Sequence, residues 1–309
     1  MNDNCRAFYY QVKSMKTTIH KTTWISLSLL FACSSVKPVV PELVPTASLP
    51  AELMECSGMA VLDSDLYVSN NDSGNAAELY VYSLKADRPM RTVTITGVDN
   101  KDWEELSADD QYVYIGDTGN NRGKRQDLAI YRIPKEKLLQ EDVVEVEKIF
   151  FHYPEQESFE SSKTHNFDCE AFAIYGDSIY LFTKNRGNLK TNLYRIPKVP
   201  GHYAAKLIGE FDAGFLVTGA DVRSLSDNKS RLALIGYAKI DGRYQVYMLD
   251  FNKVDGAGFF KTKPRKWNFD LPIQTESIAF IDDHTVLITN EGEHGDRAMV
   301  HRLNLTSGK

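Results

Sequence analysis

Cysteine is scarce in this chain: four among 309 residues, two of which, Cys5 and Cys33, fall in an N-terminal leader. That excludes a disulfide-stapled scaffold, and no Cys–His spacing suggests zinc. No apolar run approaches the roughly 18 residues a membrane-crossing helix needs. A G-x-S-x-G elbow, a phosphate loop, an H-E-x-x-H pair and a dinucleotide fingerprint are all missing, so the chemistry those motifs carry has no support here. Basic residues do not outnumber acidic ones, at 36 against 42, and no basic stripe is present. Nucleic acid is therefore a poor partner.

What is present begins with the leader. "MKTTIHKTTWISLSLLFACSS" opens at Met15 with Lys16 and Lys21, then runs apolar to Phe31. The run has the length of a secretory core and is too short to span a bilayer. It closes on Leu30-Phe31-Ala32-Cys33, which resembles the bacterial lipobox, whose cysteine is lipidated. Residues 1–32 are thus expected to be an upstream extension plus signal peptide, with Met15 the true start and Cys33 the lipid anchor. Residues 33–42, rich in Pro, Ser and Val, read as a tether. Removing residues 1–32 takes four basic and one acidic side chain from the totals of 36 and 42, leaving a formal charge of about −9. An acidic, monomeric, exported protein of the bacterial cell envelope is the expectation.

Residues 43–309 carry an internal repeat, the signature to seek first in a strand-rich chain. Five segments share an acidic or polar head, a short apolar strand, a turn, a second strand and a polar loop: "ECSGMAVLDSDLYVSNNDSGN", "WEELSADDQYVYIGDTGNNRG", "CEAFAIYGDSIYLFTKNRGN", "ADVRSLSDNKSRLALIGYAKIDG" and "ESIAFIDDHTVLITNEGEHG". Third strands recur as "LAIYRIP" and "NLYRIP", and weaker fourth strands follow, such as "RTVTITGV" and "VEKIFFHYP". Four antiparallel strands per unit, arranged radially, make an all-β propeller. Five blades is the expected count. Six is the alternative, because the long interval from Glu104 to Glu170 has room for a degenerate blade. The last unit ends after its third strand, so Leu43–Pro50 is expected to return as its outer strand and close the ring, hiding sheet edges.

That architecture gathers groups that are distant in sequence. The inner-strand heads and the loops between second and third strands lie on one face, beside the central channel. The heads supply Glu55, Ser57, Glu104, Glu170, Asp221 and Glu276. The loops supply Asp72, Asn75, Asp117, Asn120, Arg122, Lys184, Arg186, Asn290 and Glu291. Several carboxylates around one mouth repel each other, and a cation relieves that repulsion. Hard oxygen donors suit Ca²⁺, with Mg²⁺ the alternative. The heads are the candidate metal ligands and the loops the candidate ligand-binding set, with Arg122 and Arg186 as anion clamps. The competing view of each copy is structural: "NDSGN" and "GDTGNN" make good turns on their own. Trp103 and Phe167, each before an acidic head, read as inter-blade core. Cys56 and Cys169 read as buried free thiols, although export permits a disulfide.

The blade heads, "WEELS" at Glu104, "CEAFA" at Glu170, "ADVRS" at Asp221 and "ESIAF" at Glu276, together with Glu55 and Ser57, are remotely similar to those of the calcium-activated nucleotidases (apyrases). The string "NDSGN…DWE…IGDTGNNR" also resembles exported bacterial propellers of no settled function. The nucleotidase resemblance implies five blades, an axial Ca²⁺ and hydrolysis of nucleoside diphosphates; the site residues are read as hydrolysing a phosphate or other anionic ester, with Glu104 or Glu170 as metal ligand or water-activating catalytic base. The loop "GYAKIDG" of the fourth unit departs from the pattern. The alternative is a non-catalytic propeller that binds a glycan or a protein on the same scaffold.

Overall fold

The computed structural model describes residues 42–292 and 297–306; Met15 and the lipidation candidate Cys33 lie outside them. Strand β1 (Val44–Ser48) comes first. It is followed by β2 (Cys56–Asp63), β3 (Leu66–Asn71), β4 (Glu78–Tyr82) and β5 (Arg91–Thr96), which form blade 1. Blade 2 is β6 (Trp103–Ala108), β7 (Tyr112–Asp117) and β8 (Ala129–Pro134). After the short helix α1 (Lys135–Gln140) and strand β9 (Val143–Glu145), β10 (Glu147–His152) completes that blade. Blade 3 is β11 (Ala171–Tyr175), β12 (Ser178–Phe182), β13 (Thr191–Pro197) and, past β14 (Gly201–Ala204), β15 (Lys206–Phe211). Blade 4 is β16 (Leu216–Ser224), β17 (Lys229–Ile240), β18 (Arg243–Asp255) and β19 (Arg265–Phe269). Blade 5 is β20 (Thr275–Phe280), β21 (Thr285–Asn290) and β22 (Met299–Asn304), with β1 as its outer strand.

The ring closes as a five-bladed propeller. Inner strand β2 touches β6 and β20, β6 touches β11, β11 touches β16, and β16 touches β20. Five apolar clusters fill the five gaps between neighbouring blades, with Trp103 fully buried between blades 1 and 2 and Phe259 between blades 3 and 4. Each strand alternates inward and outward side chains, so a blade presents apolar residues to both neighbours, and burial of these faces stabilises the ring. The expected closure by the N-terminal strand holds: Val44 pairs with Arg302 and Ser48 with Met299. Turn chemistry fixes the hairpins, most clearly Asp241-Gly242 between β17 and β18, where both residues have positive φ (50° and 79°) as a two-residue primed turn requires.

The long interval between the second and third heads holds no sixth blade. Beyond β7 and β8 of blade 2, it holds α1, β9, β10 and the loop before β11. Strand β9 crosses back to pair in parallel with β5, and β14 does the same to β10. Each covers the outer edge of the preceding blade, so two open edges are shortened. Cys56 and Cys169 are free thiols buried in different inter-blade clusters.

Candidate functional site

Inner strands begin on one face, here called the upper face, and a β-bulge marks the heads of β2, β6, β16 and β20. Register slips between Cys56 and Gly58, Trp103 and Leu106, Val217 and Gly219, and Thr275 and Ser277. A bulge re-aims the side chain of its extra residue. The residues so placed are Ser57, Glu104 with Glu105, Thr218 and Glu276. Asp221 is not among them. It lies three residues beyond Thr218 and accepts the Phe280 and Val222 amides at 2.7 and 2.8 Å. With Arg223, it lines a cavity of about 250 Å³ at the opposite mouth, so it belongs to a different set of groups from the other heads.

At the upper mouth the structure brings Glu104, Asp72 and Asp102 together. One carboxylate oxygen from each lies within 4.8 Å of the others. Asp102 was not anticipated; it stands two residues before Glu104, immediately ahead of β6. Gly119 seals the group: a Cβ there would sit 2.4 Å from the Asp102 carboxylate and from Glu104 Oε1. Ser57 donates to Glu104 Oε2 at 3.1 Å. Burial, then the Glu170, Asp72, Asp102 and Asp168 carboxylates, push Glu104 well above the usual carboxylate range. Asp102 is lifted to about 6 by burial and by Asp72 and Asp168. Asp72 is raised by burial, with Glu55 adding to it.

A second group adjoins it, and here the charges are paired. Lys184 bonds Glu170 directly; Arg186 holds Asp168 at 2.8 Å and reaches Glu170 at 3.3 Å. Burial carries the Glu170 carboxyl up to about 7 against the pull of Lys184 and Arg186. Burial would also strip the Lys184 proton, but Glu170, Tyr237, Glu276 and Asp168 hold its pKa above the ordinary lysine range. The Lys184 ammonium lies 5.2 Å from the Tyr237 ring centroid, so blade 4 contributes an aromatic wall in place of acids. Glu276 accepts from Gln274 at 2.6 Å, and burial with Glu170 and Glu291 raises it.

Other expected members have structural work. Asp117 is fully buried, hydrogen-bonded by the Tyr131 hydroxyl at 2.8 Å and ion-paired with Arg125 at 2.8 Å. Arg125 also donates to the Gly119 carbonyl at 2.9 Å, so it braces the loop that packs on the acids. Arg122 is exposed and joins no ion pair among the described residues. The Asn120 amides donate to Asp168 at 2.8 Å and to the Phe167 carbonyl at 3.1 Å. Asn290 bonds His301 at 2.8 Å. Glu55 is at the exposed rim, where Asn75 donates to it at 2.6 Å, and Glu291 is half-buried beside Gln274. Trp103 is inter-blade core, as expected, and Phe167 packs partly buried on the cluster between blades 2 and 3.

A further carboxylate occupies the channel itself. Glu105 is fully buried and accepts from Ala220 N at 3.1 Å, Leu106 N at 3.0 Å, Met59 N at 3.4 Å and Ser277 Oγ at 2.5 Å. Burial raises its carboxyl and these donors oppose the rise. All of its partners are hydrogen-bond donors, so it is structural rather than open to a ligand.

No family model matches the sequence, and no curated protein matches it. Among solved structures, it is similar to the PQQ-bound aldose sugar dehydrogenase of Streptomyces coelicolor, with 10% identity and a TM-score of 0.46 over 86% of this chain and 99% of that one. The Myxococcus xanthus glutaminyl cyclase matches with 11% identity and a TM-score of 0.44 over 87% and 99%. A Dyadobacter fermentans protein of unknown function matches with 7% identity and a TM-score of 0.46 over 80% and 75%. Identities this low say nothing about chemistry; the five-bladed architecture rests on the strand order above.

Proposed function

We propose that the upper mouth of the propeller binds a hard divalent cation, calcium by preference, and through it an anionic ligand. One observation carries this: three carboxylates converge to ligand spacing at Asp72, Asp102 and Glu104, while the neighbouring cations Lys184, Arg186 and Arg125 are already paired with Glu170, Asp168 and Asp117. Carboxylate oxygens suit calcium or magnesium, and calcium better tolerates the irregular geometry of a ring of loops. The blade-head resemblance to calcium-activated nucleotidases agrees. When bound, the ion would supply a positive centre for a phosphate or carboxylate oxygen. The leader supports a lipid-anchored, exported protein held at Cys33, in a compartment where calcium is plentiful. Release of a Cys33→Ala variant into the soluble fraction would support the anchor, and unchanged membrane retention would refute it.

Glu170 favours a second reading, hydrolysis of a phosphate or other anionic ester at the same mouth. A carboxyl lifted to about 7 is suited to taking up and returning a proton. Thermal unfolding of residues 34–309 with calcium and with chelator tests the first reading. A calcium-dependent rise in melting temperature that Asp72→Asn and Glu104→Gln abolish supports it; a melting temperature indifferent to both additions refutes it. Calcium-dependent turnover of a phosphoester panel, lost in Glu170→Gln, selects hydrolysis, and its absence selects binding alone.

A further inference from the structure

A cavity of about 570 Å³ lies on the rim of blade 2, with none of the mouth carboxylates Asp72, Asp102 and Glu104 in its lining. A second of about 280 Å³ adjoins it and shares Gln126, Leu128, Phe151 and His152 with it. Such volumes are those of small-molecule sites, roughly 300–1,000 Å³. The fold builds the cavity from three pieces. Strand β10 ends at His152 and the chain turns through Pro154 to Phe159; the loop before β8 brings Gln126; and β14, docked in parallel on β10, brings His202 and Tyr203.

The lining has a definite chemistry. Phe150 and His202 stack at 4.7 Å and 21°, making a flat face, and the half-buried Phe159 makes another. Charge is present but occupied. Arg125 is held by Asp117 at 2.8 Å, Asp127 at 3.1 Å and the Gly119 carbonyl at 2.9 Å, and Asp127 also holds Lys101 at 2.5 Å. No Asp, Glu, Lys or Arg of the lining is left over. The remaining polar groups are the Gln126 amide and the His152 and His202 imidazoles, all exposed and without a side-chain hydrogen-bond partner among the described residues, and the hydroxyls of the buried Tyr153 and of Tyr203, the latter donating to the Val199 carbonyl at 3.2 Å. Gln156 uses its Nε2 on the Gly123 carbonyl at 2.8 Å, which leaves its side-chain oxygen able to accept.

A charged ligand would lose hydration and gain no counter-charge here. A wholly apolar ligand would leave the amides and imidazoles unpaired. A ring with apolar faces and a hydroxylated edge satisfies both conditions, its faces on the aromatic rings and its hydroxyls exchanging bonds with amide and imidazole. A peptide strand finds little to pair with, since β14 offers an edge of four residues. We propose that this groove on blade 2 is a second ligand site, separate from the acidic mouth, and that it takes a neutral saccharide.

The test is calorimetric titration of the full chain, in chelator, with cellobiose, maltose, lactose and N,N′-diacetylchitobiose, and with glucuronic acid and trialanine as comparisons. At least one neutral disaccharide is expected to saturate. Phe159→Ala and Gln126→Ala each weaken that binding by about tenfold or more, with unchanged melting temperature, while Asp72→Asn leaves it intact. Gln126 is exposed, so its replacement keeps the test valid if Phe159→Ala misfolds. Failure of every disaccharide to bind, preference for glucuronic acid or trialanine, or undiminished binding by the Gln126→Ala variant would each overturn the assignment.

Discussion

Ser277 donates its hydroxyl to Glu105 Oε1 at 2.5 Å, tying blade 5 to blade 2 across the axis although 172 residues separate the two in sequence. The same carboxylate takes the Ala220 amide of blade 4 at 3.1 Å. One side chain thus joins blades that are not neighbours. Glu105→Ala would orphan buried donors from several blades and is expected to cost on the order of 3 kcal/mol. Glu105→Gln, which keeps one acceptor oxygen but turns an amide toward the other donors, should cost less. Urea unfolding of the two variants measures both.

Gly119 leaves room for the acids by having no side chain. Its Cβ would lie 2.4 Å from both Asp102 and Glu104 atoms, so Gly119→Ala must push two carboxylates apart. Their side chains can move, so the folded state should survive. The calcium-dependent rise in melting temperature should fall sharply or vanish, which a calcium titration followed by thermal unfolding would read.

Raised carboxyls set the direction of the pH dependence. Asp102 and Asp221 are each lifted to about 6, and Glu170 to about 7. Between the ordinary carboxylate range near 4 and these values, the folded state holds more protons than the unfolded one. The stability they contribute is therefore fully present below that range and is lost as pH rises through about 6 to 7. Ion-paired Asp109 and Asp127 are lowered and act oppositely, losing their contribution only in stronger acid. Melting temperature in chelator should fall from pH about 5 to about 7, and calcium should flatten that slope by favouring the ionised acids. Asp221→Asn should shallow the slope and leave the calcium response unchanged, since Asp221 lines the other mouth.

Two arginines of one loop should behave in opposite ways. Arg125→Ala strands the fully buried Asp117 and is expected to destabilise by about 3 kcal/mol. Arg122→Ala, at an exposed position, should stay within about 0.5 kcal/mol. Parallel denaturant titrations decide this.

Cys56 and Cys169 are both buried, and burial pushes each thiol up to about 12. Neither should react with an aromatic disulfide reagent in the native state, and both should react once guanidinium unfolds the chain.

The blade count, strand order and ring closure were legible because turns and strand periods are local and repeated five times. The exact heads were less so. An acid marks the head in three blades, so Asp221 reads as the fourth, but the bulge at Val217/Gly219 puts Thr218 there. Bulges leave little trace in sequence. Asp102 joins Glu104 only because the bulge between Trp103 and Leu106 re-aims the Glu104 side chain. Choosing Arg125 over Arg122 depends on how the loop closes over Asp117, which spacing alone does not determine. The crossings of β9 and β14 are long-range pairings with no local signal.

Blade 5 takes its outer strand from one end of the domain and its inner three from the other, which has a mechanical side. Any pull on the segment before Val44 loads the pairing of β1 with β22 before any inner strand is strained. Those residues form a five-residue seam with an irregularity between Pro45 and Ala47. Behind it, Leu49 and Leu53 are wedged into the core between blades 5 and 1. The seam should yield at low force and those two leucines should set the next resistance, so a pull on the segment before Val44 would open the clasp before the upper mouth is disturbed.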